Sequence, residues 1–80
     1  MSDPRSRLVK CFRTVFHTLP EDRIPSAAQM TTPEWDSVSA ITLVNVIEEE
    51  FAVQMDYERL ADLDTFPKIL QYLQSDLGVA

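Results

Sequence analysis

One glycine, Gly78, serves a chain of 80 residues, and it stands near the C-terminal end. Without glycine earlier in the chain there is no glycine-rich loop to cradle a phosphate and no ready source of the tight primed turns that close β-hairpins. Helices are the main option left. A chain of this length holds one domain and hides only ~60% of the surface its unfolded form exposes, so most apolar residues must be committed to a single core. Apolar residues make up 45% and charged residues 25%, close to globular averages, which argues against disorder despite five prolines.

Hydrophobic spacing locates the helices. Over residues 6–19, Leu8, Cys11, Phe12, Val15, Phe16 and Leu19 recur at helical intervals, with Arg7, Lys10, Arg13 and Thr14 on the other sides. Pro20, Pro25 and Pro33 then forbid a continuous helix through residues 20–36 and predict a long ordered loop. From Ser37 to Phe51 there is neither proline nor glycine, and Ile41, Val44, Ile47 and Phe51 form a stripe flanked by Leu43 and Val46, which predicts a second helix. Asp56 can cap a short third helix through about Leu63. Thr65 can cap a last one, with Pro67 in its first turn and Ile69, Leu70, Tyr72, Leu73 and Leu77 behind it. The expected fold is all-α: a small four-helix bundle, one domain over residues 1–80, with a long loop after the first helix and a short third helix.

Composition excludes several classes of function. Cys11 is the sole cysteine, so neither an internal disulfide nor a cysteine-based zinc cage can form, and no metal cluster is expected. The N-terminal stretch is charged and lacks an apolar run, which favours a cytoplasmic protein over a secreted or membrane-spanning one. The net charge of -6 is uneven, with five basic and three acidic residues in 1–23 against two basic and ten acidic in 24–80. Such an acidic surface repels nucleic acid and steers basic partners. The basic first helix raises the alternative of a membrane-surface anchor, although Cys11, Val15 and Leu19 are more simply core. His17, the only histidine, lies far along the chain from any nucleophile, and no nucleophile–base pair is present, so no enzyme is expected.

Asp36-Ser37 stands where the loop gives way to the second helix. A phosphate on the Ser37 hydroxyl would meet free backbone N–H groups and the positive end of the helix dipole. The dipeptide is equally a plain N-cap, and Thr32-Pro33-Glu34 is a competing helix start that would bury Ser37 within the helix. The wider pattern discriminates: Trp35-Asp36-Ser37-Val38-Ser39, then Leu43-Val44, then Glu48-Glu49-Glu50-Phe51, then Thr65 opening a helix that contains Tyr72-Leu73. Over residues 30–74 this resembles the acyl carrier protein family, with Glu34 where the family often has glycine and Val38 where it often has leucine. Peptidyl carriers usually have a glycine-rich segment and a histidine before the serine; neither is present here, and Asp36 favours the acyl branch.

The resemblance implies that Ser37 receives 4'-phosphopantetheine from coenzyme A and that Asp36 supports the transfer. It implies a monomeric, non-catalytic carrier of acyl thioesters in fatty acid, polyketide or specialised lipid biosynthesis, served by a phosphopantetheinyl transferase and by acyl-transferring or acyl-activating enzymes with basic docking patches. Val38, Ile41, Glu48 and Glu49 are the expected partner surface, Glu48 being best placed because it shares a stripe with Val44 and Ile41. Trp35 is expected to pin the loop against the second helix. Leu43, Val46, Ile47, Phe51, Ile69 and Leu73 are expected core, which an enclosed acyl chain would have to part. The alternative is an unmodified acidic interaction module in which Ser37 is only a helix cap.

Overall fold

The computed structural model describes residues 3–79. Helix α1 spans Pro4–Val15, α2 spans Ser37–Phe51 and α3 spans Phe66–Ser75, joined by 3-10 segments at Glu21–Ser26, Gln29–Thr31 and Tyr57–Asp62. Each α-helix starts on a side-chain cap: Asp3 accepts from the Ser6 N–H at 2.7 Å, Asp36 from Ser39 at 2.9 Å and Thr65 from Lys68 at 3.2 Å. Pro4 and Pro67 sit in the first turns, where a missing N–H costs nothing.

The all-helical expectation holds among the described residues, but three of its details change. The short third helix of the expected bundle is the six-residue 3-10 segment Tyr57–Asp62, capped by Asp56 on the Glu58 N–H at 2.9 Å. Three residues per turn put Leu60 and the C-cap residue Leu63 on the same side, toward the core. The proline-rich loop is ordered, as expected, but it holds two 3-10 segments that the prolines did not suggest. Ile24 and Ala27 are buried, and the Phe66 N–H donates to the Ala27 carbonyl at 3.0 Å while the Gln29 N–H donates to Asp64 at 2.8 Å, tying the loop to the start of α3. Helix α1 stops at Val15, short of residue 19, because Phe16 leaves helical geometry as its ring turns into the core ahead of Pro20.

The core runs from Leu8, Cys11, Phe12 and Phe16 of the first helix and its exit through Leu43, Val44, Ile47 and Phe51 of α2 to Phe66, Ile69, Tyr72 and Leu73 of α3. The apolar side of α1 is therefore spent on packing, which removes the amphipathic face a membrane anchor would need. No helix among the described residues is long and apolar enough to cross a membrane. Of the six residues expected to be core, five are buried, and Val46 is half-buried.

Arg7 joins α1 to the C-terminal end of α2. Its Nε donates to Glu50 Oε2 at 2.9 Å, its Nη2 donates to the Glu50 carbonyl, and its guanidinium lies 4.4 Å from the centre of the Phe51 ring. That hydrogen bond, reinforced by the charges of Lys10 and Arg7, holds the Glu50 carboxyl below its ordinary value. Beyond Phe51 the helix closes with Ala52 in the left-handed region at φ 54°, and the Val53 N–H returns to the Glu48 carbonyl at 3.2 Å. This is a Schellman closure with alanine where glycine is usual.

Two outcomes follow from these termini. Ala52→Gly removes the left-handed penalty and should stabilise by ~1 kcal/mol, raising the melting temperature by about 4–8 °C in a thermal melt; a lower melting temperature would contradict the assigned backbone geometry. Glu50, with its folded pKa depressed, contributes stability above its unfolded pKa near ~4.3 and loses it as pH falls through the folded value. Arg7→Gln should therefore be less stable than the parent at neutral pH, with the gap between the two shrinking below about pH 4 in denaturant titrations.

Candidate functional site

The start of α2 is fixed from behind by Trp35. The Trp35 N–H donates to the Thr32 carbonyl at 2.9 Å, making a turn of residues 32–35, and the indole is buried at 3% exposure. Its ring meets Phe12 edge-on at 5.3 Å between centroids and lies 5.8 Å from Phe16. It also faces Ala40, Leu43 and Val44, so it pins the loop against α1 as well as against α2. With the chain turned inward at residue 35, a helix cannot run through Thr32-Pro33-Glu34. Asp36 stays extended, at φ -101° and ψ -173°, and α2 begins at Ser37.

Ser37 is thus the first helical residue, and its side chain is exposed. Among the described residues its hydroxyl takes part in no hydrogen bond, while the Asp36 carbonyl accepts the Ala40 N–H at 2.9 Å and its carboxylate takes that of Ser39. The Ser39 N–H is the main cause of a lowered Asp36 pKa, and the Val38 N–H adds to it. The site is a free primary hydroxyl beside an ionised carboxylate at a positive helix end. The sole thiol does not compete for the role: Cys11 is buried, and burial, with the charge of Glu50 adding, pushes it up to about 11. Among the described residues no group of histidine, cysteine and acidic side chains is arranged to hold a metal.

A family model, that of the phosphopantetheine attachment site, matches residues 6–73. The chain belongs to that family. No curated protein matches closely enough to add a relative. Domains of this family are carriers to which 4'-phosphopantetheine is covalently attached. The Ser37 end of α2 fits such a group: the hydroxyl is exposed and unbonded, nothing buried must move to reach it, and the helix terminus favours the negative charge of a phosphodiester.

The remaining sequence-predicted residues of this carrier domain fall into two sets. Val38 and Ile41 are exposed, at 72% and 49%, and lie on the outer face of α2 close to Ser37. Ile41 is therefore not core. Glu48 and Glu49 are three turns away, ~16 Å along the helix axis from Ser37. Glu49 is exposed, whereas Glu48 is half-buried and its Oε2 accepts the Met55 N–H at 2.8 Å. With Glu50 committed to Arg7, the acidic run divides its work, and only Glu49 is fully turned to solvent.

Two exposed apolar residues escaped sequence reasoning. Met30, 94% exposed, stands in the loop before Trp35, and Tyr57, 54% exposed, leans toward α2 with its hydroxyl donating to Asn45 Oδ1 at 3.4 Å. Neither belongs to a periodic run, so no sequence pattern marks it.

The role of Trp35 is open to direct measurement. Trp35→Ala should cost ~3–5 kcal/mol, a large share of the ~4–12 kcal/mol available to 80 residues at about 0.05–0.15 kcal/mol each. The cooperative far-UV melt should be lost or strongly lowered, with Trp35→Phe retaining it; an alanine variant that melts like the parent would remove Trp35 as the anchor of the site.

Proposed function

We propose that this chain is an acyl carrier protein that holds acyl groups on a 4'-phosphopantetheine arm attached to Ser37. The observation that carries the reading is the exposed, unbonded Ser37 hydroxyl at the first turn of α2, beside the capping carboxylate of Asp36, within a phosphopantetheine attachment-site domain. Loading is done by a phosphopantetheinyl transferase. Ser37 Oγ attacks the β-phosphorus of coenzyme A, the new O–P bond replaces the pyrophosphate linkage, and the hydroxyl proton passes to a base of the transferase as 3',5'-ADP leaves. Asp36, ionised through its backbone hydrogen bonds, would help to hold the magnesium ion that assists this transfer. Once attached, the arm supplies a terminal thiol on which acyl groups ride as thioesters.

The domain itself supplies placement and recognition. Val38 and Ile41 provide an apolar centre next to the attachment point, and Glu49, with the free oxygen of Glu48, provides negative charge at the far end of α2 for enzymes with basic docking patches. The cargo is an acyl chain of fatty acid, polyketide or specialised lipid biosynthesis. A basic α1, with Lys10 and Arg13 exposed, departs from a uniformly acidic carrier and favours a dedicated pathway.

Mass spectrometry after co-expression with a broad-specificity phosphopantetheinyl transferase decides the matter. The chain should gain the mass of one phosphopantetheine, and Ser37→Ala should gain none. A parent chain left unmodified by several transferases would instead support an acidic interaction module in which Ser37 only opens a helix.

A further inference from the structure

Between α2 and the Tyr57–Asp62 segment runs an apolar seam lined by Leu43, Val44, Met55, Leu60, Leu63 and Ile69. Its volume is about 10 Å³, which is at most the room one water needs. The seam is shut. Its two sides are unequal. Helices α2 and α3 both pack against α1, whereas Tyr57–Asp62 belongs to none of the closely packed pairs of elements. If the seam widens, this segment is the side that yields.

Arg59 ties the segment to α3 through Asp76 at 3.0 Å and over the Tyr72 ring, Tyr57 reaches Asn45 of α2, and the chain leading into the segment is fastened by two residues. The Glu48 carbonyl accepts from Ala52 and Val53, and its Oε2 reaches past the left-handed turn to the Met55 N–H at 2.8 Å. The Tyr72 hydroxyl, from α3, accepts the next N–H, that of Asp56, at 3.0 Å. Two consecutive backbone donors are thereby fastened to side chains of α2 and α3, on either side of the seam. Met55, between them, is buried with its side chain lining it.

We propose that Glu48 and Tyr72 form a latch that sets how readily the seam opens to an alkyl chain carried on the protein. The inference rests on the carrier reading above for the identity of the chain, and on the geometry alone for the latch. It assigns Glu48 a positioning role beside the partner-facing one of its free oxygen. The conservative change to glutamine keeps an acceptor oxygen, and alanine removes it.

Amide hydrogen exchange on the unloaded full chain tests the latch. In Glu48→Ala the Met55 and Asp56 amides should exchange about tenfold faster, with residues 57–62 following and α1 at parental rates. Glu48→Gln should fall between, and Tyr72→Phe should act chiefly at Asp56. An unchanged Met55 rate overturns the latch, and so does a uniform acceleration that includes α1, which marks global destabilisation. With an octanoyl arm loaded on Ser37 to completion by mass, Glu48→Ala should slow hydroxylamine cleavage of the thioester several-fold. It should also strengthen contacts between the chain and the methyls of Leu63 and Ile69. Faster exchange with cleavage at the parental rate overturns the gating. Failure of transferases to load Ser37 removes the carrier reading, and the exchange comparison then decides the latch by itself.

Discussion

The structure depends on an aromatic cluster centred on Phe12. Its ring lies 5.3 Å from Trp35, 5.2 Å from Phe66 and 5.8 Å from Phe16, so α1, the end of the long loop and the first residue of α3 meet at one side chain. Aromatic pairs in edge-to-face and tilted arrangements add to the burial of large apolar surfaces. The consequence reaches the functional end directly. Because Trp35 is held in this cluster, the chain must leave the core at Asp36, and the next residue, Ser37, emerges at the surface as the first of a helix. Ser37 is exposed because Trp35, two residues before it, is buried.

Electrostatics are organised around the same division of inside and outside. Glu50 faces α1 and is matched by Arg7 and Lys10, which explains part of the basic character of the first helix as structural pairing. Glu48 turns to the backbone of the chain that follows α2, and Glu49 faces solvent. Three adjacent glutamates therefore do three kinds of work, since successive residues on a helix point ~100° apart. An acidic run at a helix C-terminus opposes the helix dipole. Here two of its three members are offset by specific donors, a guanidinium and a backbone N–H.

Much of the fold was legible in order. The span of α2 from Ser37 to Phe51 follows from the absence of proline and glycine and from the apolar stripe. The caps at Asp36, Asp56 and Thr65 follow from residue type and position. The end of α1 was not legible, because periodicity continues to Leu19 while the backbone departs at Phe16 to bring that ring into the core. The 3-10 turns of the proline-rich loop were not legible, since its buried residues Ile24, Ala27 and Thr32 carry no periodic signal and its long-range hydrogen bonds go to residues near Thr65, far along the chain. Of the candidate site, the exposure of Val38 and the first-turn position of Ser37 were accessible. The competing helix start at Thr32 was excluded only by the burial of Trp35.

By itself the sequence determined the helical class, the caps, and the register of Asp36-Ser37 against the acidic apolar helix, because these rest on interactions within three or four residues and on a pattern of side-chain types. Only the tertiary structure decided that the third helix is 3-10, that Glu48 binds Met55, that Glu50 pairs with Arg7, and that Ile41 faces outward. Those outcomes turn on which partner a side chain finds from a distant part of the chain. A glutamate reads the same in sequence whether it meets water, an arginine or a backbone N–H, and packing alone chooses among them.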